Sequence, residues 1–451
     1  MLRIVNTKLG KIEGLPAADP RITSFKGIPF AKPPVGDLRF HAPVPAEKWE
    51  GTLKAYNFAP ISVQPTPYYD PNDLYCREWS VDKDIPMSED CLYLNVWTPA
   101  NAADEKLPVY VWIYGGGFQT GFTAEMEFDG ERIARRGIVV VTLAYRLNIF
   151  GFMCHPEITK ENPSAPANFG LLDQRMAMQW VKDNIAAFGG DPENITLGGQ
   201  SAGGGSVLNQ ILYGHKDLFK RAVCHSGMFQ MPGNNIMTPR PLKEAEKFGE
   251  EFFAFAGVKT LAEIRKLSTE QLRQKWEEYG GFHKSVKIWI PVKDDKFVKT
   301  EFFDAIKNNS AQLVPMMLGF TTDEFTFKPQ DSDTPVNAVK AGINLYKQLT
   351  DKIPSHPKNY CYQFDVEIPG WDNPGKFHSV DLWFWFETLA KCWRPFTGGY
   401  YDVARHMCNY LCNFVKCGDP NGKDCDDTPM EQWKSYSGED DIITFKLAEA
   451  K

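Results

Sequence analysis

The sequence is sparing with cysteine and histidine. Ten cysteines in 451 residues is about 2%, well below the density of a disulfide-stapled scaffold. No C-x-x-C occurs and there are eight histidines in all, so a structural metal site has no ligand pattern to rest on. Basic runs are missing too. Fifty Lys and Arg against 57 Asp and Glu give a net charge of -7 with no Lys/Arg-rich stretch, which excludes a nucleic-acid scaffold. A membrane-spanning helix needs about 20 apolar residues. The uncharged stretch from Leu107 to Ala124 contains Pro108 and the triplet Gly115, Gly116, Gly117, and reads as a strand opening into a glycine loop. The first residues, MLRIVNTKLGKIEG, lack the apolar core of a secretory leader. The expectation is a cytoplasmic protein, or a secreted one if a leader has been removed. Internal repeats and low-complexity linkers are absent as well.

What remains is a chain with a sizeable core and many rings. Hydrophobic residues make up 43% and charged residues 24%, with 31 Phe, 17 Tyr and 12 Trp beside 36 Gly and 32 Pro. That mixture suits long, ordered, aromatic-lined loops. Length alone allows two or three domains or one large α/β domain. The apolar runs Pro108 to Tyr114 and Gly137 to Tyr145 do not alternate, so they predict strands buried on both faces. A helix is expected over Leu171 to Phe188, then a strand over Asn194 to Gly199, a helix over Ala202 to Tyr213 and a strand over Arg221 to Ser226. This is a parallel crossover unit. Charged helical patterns from Leu242 to Tyr279 suit a lid or outer layer, an insertion spanning about 232–311. Strands resume at Gln312 to Phe320 and Tyr360 to Val366, and a late helix runs from Tyr400 to Cys417. One α/β domain over 1–451, doubly wound on a mainly parallel sheet, fits better than two separable units.

Gly199-Gln200-Ser201-Ala202-Gly203 is the only G-x-S-x-G in the chain, where chance gives roughly 0.2 occurrences at ordinary composition. A predicted strand precedes it and a predicted helix follows. Such a turn exposes the Ser201 hydroxyl at a helix N-terminus whose dipole favours negative charge. Gly115, Gly116 and Gly117 follow an upstream strand, where side-chain-free backbone N–H groups can approach an oxyanion; with Ala202 N–H, three donors converge. The partners of a nucleophile in this arrangement come later in the chain, acid before histidine. The acid belongs just after the strand ending near Leu318, which leaves Asp323 and Glu324. Of the histidines after Ser201, namely His215, His225, His283, His356, His378 and His406, only the last three follow that acid. His378, in the loop opened by Pro374-Gly375, is favoured.

Further motifs extend this reading: FKGIPFAKPPVGDLRF at 25–40, EDCLYLNVWTP at 89–99, VWIYGGGFQTG at 111–121, AYRLNIFGF at 144–152 and NFGLLDQRMAMQWVKDNIAAFGGDPENITLGGQSAGG at 168–204. In this order they resemble the type-B carboxylesterases, the family of cholinesterases, bacterial para-nitrobenzyl esterases and several lipases. The resemblance implies an α/β-hydrolase fold with a helical lid. By position it makes Ser201 the nucleophile, Glu324 the acid, His378 the base, Gly116, Gly117 and Ala202 the oxyanion donors, and Ser226 a serine that supports the acid. Cys76 and Cys91 resemble the cysteines flanking the family's first large loop, at a shorter span. Phe325 stands where the family has a glycine, and Asp381 where it has a glutamate.

The expected activity is cleavage of small or aromatic carboxylic esters through an acyl-enzyme, with no cofactor, no metal and no partner beyond the small-molecule ester, by a monomer or homodimer. Phe118, Phe122, Trp383 and Trp385 are the expected pocket rings. Alternatives are a lipase or a feruloyl or acetyl esterase of plant cell walls and, from another class, a non-catalytic adhesion protein on the same scaffold. A peptidase of this fold is disfavoured, since no propeller or long N-terminal extension is present.

Overall fold

The runs at Val109–Ile113 and Val139–Leu143 have no side chain in contact with solvent, and they form the middle of a ten-stranded sheet. The computed structural model describes residues 1–65, 72–79, 82, 84–214, 217–229, 238–328, 334–424 and 428–448. In chain order the sheet strands are β1 (Leu15–Pro16), β2 (Thr23–Pro29), β3 (Tyr93–Thr98), β4 (Leu107–Ile113), β5 (Val139–Leu143), β6 (Gly190–Gln200), β7 (Arg221–His225), β8 (Met316–Thr321), β9 (Asn359–Phe364) and β10 (Ile443–Phe445). Their spatial order is β10-β9-β8-β7-β6-β4-β5-β3-β2-β1. From β5 through β10 every neighbouring pair is parallel; β1, β2 and β3 add an antiparallel flank. These strands were not among the expected elements, and the expectation of a mainly parallel sheet holds around them.

Helices cover both faces. The first main helix, α1 (Phe169–Asn184), continues as a 3-10 turn over Ile185–Phe188 and stops at Gly189, whose φ of 80° suits glycine. The second, α2 (Ala202–Tyr213), has the predicted bounds. Where the lid was expected lie α3 (Leu242–Ala256), α4 (Leu261–Lys266), α5 (Thr269–Glu278) and α6 (Gly281–Ile288); residues 232–237 of that segment, and His215, lie outside the described residues. Arg39 fastens this layer to the body. Its guanidinium is paired with Glu89 (2.6 Å) and donates to the Leu267 carbonyl (2.7 Å). A capping box at Ser268 and Gln271 starts α5. The late helix, α7 (Gly398–Cys417), carries Cys408 and Cys412 as buried thiols.

The family-like pairing of Cys76 with Cys91 is not formed: Cys91 is a free thiol inside the core, pushed up to about 12 by burial. Among the described residues no helix is long and apolar enough to cross a membrane.

One buried ion pair ties the chain after β5 to α1. Arg146 reaches Asp173 through Nη2 (2.6 Å) and Nε (2.8 Å), and both side chains are almost wholly buried. Removing one partner strands the other charge. We expect Arg146→Met to cost about 3–5 kcal/mol of unfolding free energy, with Arg146→Met/Asp173→Leu recovering much of it in a denaturant titration. A single variant as stable as the wild type contradicts this role.

Candidate active site

Because β4, β6, β7 and β8 run parallel in register, with Ile113 opposite Gly199, Gln200 opposite His225 and His225 opposite Gly319, their carboxyl ends open at one edge. Every candidate site residue lies just beyond that edge or on a loop reaching back to it. This is where open α/β sheets bind ligands.

Ser201 alone separates β6 from α2, and it takes the whole reversal at φ 55° and ψ -123°. A residue with a Cβ pays about 1–3 kcal/mol for such a backbone, so it persists only where its surroundings over-determine it. Here Ser201 N–H donates to the His225 carbonyl (3.0 Å) and its carbonyl accepts from Gly205 N–H (2.9 Å). The following turn passes so close to β4 that a Cβ at Gly203 would collide with the Ile113 and Tyr114 carbonyls.

The glycine loop after β4 lies against this elbow: a Cβ on Gly115 would stand 3.0 Å from Ser201 Cβ. Gly116 and Gly117 are left-handed (φ 93° and 65°), and the Gly116 carbonyl accepts from Gln119 and Thr120 N–H. The amides of Gly116, Gly117 and Ala202 donate to no other described backbone group. Side chains brace the loop from outside. Gln64 exchanges two hydrogen bonds with Gly121, Asn148 donates to the Gln119 carbonyl, and Gln119 donates to the Trp289 carbonyl beyond α6.

The two acids left open by the sequence are separated by geometry. Glu324 is buried and its Oε2 lies 2.6 Å from His378 Nδ1. Asp323 is exposed and fastens the histidine loop, accepting from Lys376 N–H (2.7 Å) and donating its own N–H to the Lys376 carbonyl (3.1 Å). Burial alone would raise the Glu324 carboxyl, but the charge and hydrogen bond of His378, aided by Ser226 and Thr321 N–H, hold it below its ordinary value. Ser226 is fully buried beside it, although its hydroxyl makes no hydrogen bond of good geometry. The other histidines are occupied elsewhere: His356 with the Pro357 carbonyl, His406 with Asp424.

Beneath the His378–Glu324 pair lies a polar layer whose mutual contacts the sequence did not indicate. His225 Nδ1 meets the Tyr362 hydroxyl (2.8 Å), which donates to Asp381 Oδ2 (2.7 Å), and Trp385 Nε1 donates to the same oxygen (3.2 Å). Burial pushes Asp381 up to about 6 despite these donors, and burial holds His225 down at about 3. Gln200 and Ser379, also missed, touch each other and His378. Their only sequence signal was adjacency to Ser201 and His378.

Three expected pocket rings need correction. Trp383 and Trp385 have at most 1% of their surface exposed and Phe118 has none. The turn Leu382–Trp385 is buried throughout, with Trp385 edge-on to Tyr362, and Phe118 packs on Phe152. Phe122 is half-buried beside the glycine loop. The rings exposed near His378 are instead Phe325, 4.5 Å from the imidazole and 45% exposed, and Tyr75, edge-on to Phe377.

Fold and site edge together define an α/β-hydrolase. Comparison with known proteins agrees: the model of the carboxylesterase family matches residues 2–353. The para-nitrobenzyl esterase of Bacillus subtilis (strain 168) is 36% identical over 401 residues, covering 86% of this chain and 75% of that protein. The fumonisin B1 esterase of Sphingopyxis macrogoltabida is 34% identical over 372 residues, 81% of this chain and 64% of that protein. Among solved structures, a PNB esterase superposes with a TM-score of 0.78 at 27% identity, covering 94% of this chain and 92% of that one. The Geobacillus stearothermophilus carboxylesterase gives 0.79 at 28%, covering 98% and 96%. The chain belongs to the carboxylesterase family and is a carboxylic ester hydrolase.

Asp381 carries a stability signature. A carboxyl raised from 3.8 to about 6 by burial binds its proton more tightly folded than unfolded, so it loses stability for the fold as pH rises between those values. Asp381→Asn removes that loss. The variant is expected to gain about 1–3 kcal/mol relative to the wild type between pH 4 and pH 6, read from denaturant midpoints; parallel pH profiles contradict it.

Proposed function

We propose that Ser201, His378 and Glu324 cleave the ester by two-step acyl transfer. His378 takes the Ser201 proton as the hydroxyl oxygen attacks the ester carbonyl, and the oxyanion is held by the N–H groups of Gly116, Gly117 and Ala202. His378 then protonates the departing alcohol, activates a water against the acyl-serine, and returns the proton to Ser201 as the acid leaves. Glu324 fixes the imidazole tautomer and balances the imidazolium. The observation that carries this is the buried 2.6 Å contact of Glu324 with His378, on the edge where Ser201 is held at a left-handed φ. Ser201→Ala is expected to abolish hydrolysis of short p-nitrophenyl esters, and Glu324→Gln to lower kcat by about four orders of magnitude. Retained turnover in Ser201→Ala sinks the assignment.

The substrate proposed is a small or aromatic ester rather than a long-chain lipid or a cell-wall polymer. Phe325 offers an exposed ring face at His378, and Tyr75 packs edge-on against the neighbouring Phe377; the relative named for para-nitrobenzyl esters fits an aromatic ester. Phe325→Ala should raise KM for benzyl and nitrobenzyl esters about 2- to 10-fold and leave KM for ethyl acetate within error. An equal rise for both contradicts a specificity role. The helical layer from Leu242 to Ile288 serves as the lid, on one domain. Buried free thiols such as Cys154, Cys224 and Cys361 suit a reducing, cytoplasmic setting, in which the enzyme acts as a monomer or homodimer.

A further inference from the structure

The residue before the nucleophile occupies the nitrogen that the nucleophile needs. Gln200, the last residue of β6, is 2% exposed. Its Nε2 lies 3.1 Å from His378 Nε2 and 2.6 Å from Ser379 Oγ. Among the described residues His378 Nε2 has no other hydrogen-bond partner.

The direction of this contact follows from its neighbours. Glu324 is ionised and can only accept, so the proton between it and the imidazole sits on His378 Nδ1. A neutral imidazole with Nδ1 protonated has a bare lone pair on Nε2, and the group in front of it must donate. The Gln200 amide nitrogen has two hydrogens, one for Nε2 and one for the Ser379 hydroxyl oxygen. That second bond sets the plane of the amide.

We infer that Gln200 is a positioning residue of the reaction: it donates an amide N–H to His378 Nε2, holds the resting imidazole in its base form, and yields the lone pair to Ser201 when an ester binds. This rests on the triad assigned above. A donor on Nε2 favours the neutral ring over the imidazolium, because protonating Nε2 removes the bond. The exchange is balanced: one hydrogen bond to Nε2, from Gln200, is replaced by another, from the Ser201 hydroxyl. The proton that later moves is the Ser201 proton, and the amide takes no part in bond making. A glutamine here differs in kind from a carboxylate, which would accept from Nε2 and stabilise the charged ring.

The test is the acid limb of kcat/KM for a short p-nitrophenyl ester, measured on the full chain. The other charged or titratable groups facing His378 are Glu324 at Nδ1, Asp381 on the next turn, Asp323 and Lys376 at the loop base, Tyr75 within reach of Glu324, and Tyr362 and His225 beneath. All stay constant across the variants. Gln200→Leu removes the donor and should move the limb to higher pH. Gln200→Glu places a negative charge at Nε2 and should move it further, by about one unit or more. Ser379→Ala frees the amide and should move the limb the same way, by less; it carries the test if both Gln200 variants fail to fold. A limb that stays in place while activity falls means a structural role only and overturns the inference, as does a downward shift. Ser201→Ala measured alongside separates the two failures: turnover in that variant overturns the triad, whereas Ser201-dependent turnover with an unmoved limb overturns only the role of Gln200.

Discussion

Everything at this site depends on one residue making a full strand-to-helix reversal. β6 reaches the sheet edge between two parallel neighbours and α2 must start at once, because Gly203 packs against the β4 carbonyls with no room for a longer turn. Ser201 absorbs the constraint in a left-handed backbone. The strain is repaid by the sheet register, which supplies the His225 carbonyl to its N–H. The same register aligns the ends of β4, β7 and β8, so the glycine loop, Ser226 and Glu324 arrive at the same level without any local motif bringing them there.

Charge is handled by partners rather than by water. Glu324 is fully enclosed yet held below its ordinary value, because His378 outweighs the desolvation; Asp381, one turn beyond His378 and also enclosed, is raised because its neutral donors do not. Two buried carboxyls with opposite shifts beside one imidazole leave a single negative charge, on the Nδ1 side, at mildly acidic pH. At Nε2 the ring meets the neutral amide of Gln200, and the exposed ring of Phe325 lies 4.5 Å from it.

The strongly patterned parts of the sequence carried over to the structure. Non-alternating apolar runs at β4 and β5 gave strands buried on both faces, and α2 falls on its predicted bounds because a glycine-flanked serine sets its start. The strand-to-helix turn at Ser201 was legible from its flanking glycines, and His378 was singled out because few histidines follow in chain order; the structure sets it 2.6 Å from Glu324. Asp323 and Glu324 were indistinguishable by local sequence, and only their distant partners, Lys376 N–H for the first and His378 for the second, separate them. Trp383 and Trp385 misled because nearness to His378 in sequence says nothing about direction: the turn carrying them is driven inward by its own apolar content. The contact of Gln200 with His378 is made across 178 residues, and no local pattern encodes it.

The central claim is that one serine, at one strained turn, takes the acyl group. The most direct test is to inactivate the protein with an excess of a fluorophosphonate, digest it and locate the adduct by mass spectrometry. A single adduct on Ser201 is expected, formed in step with loss of esterase activity and slowed severely in His378→Ala. Complete inactivation with Ser201 unmodified, or full activity with Ser201 quantitatively phosphonylated, would contradict it.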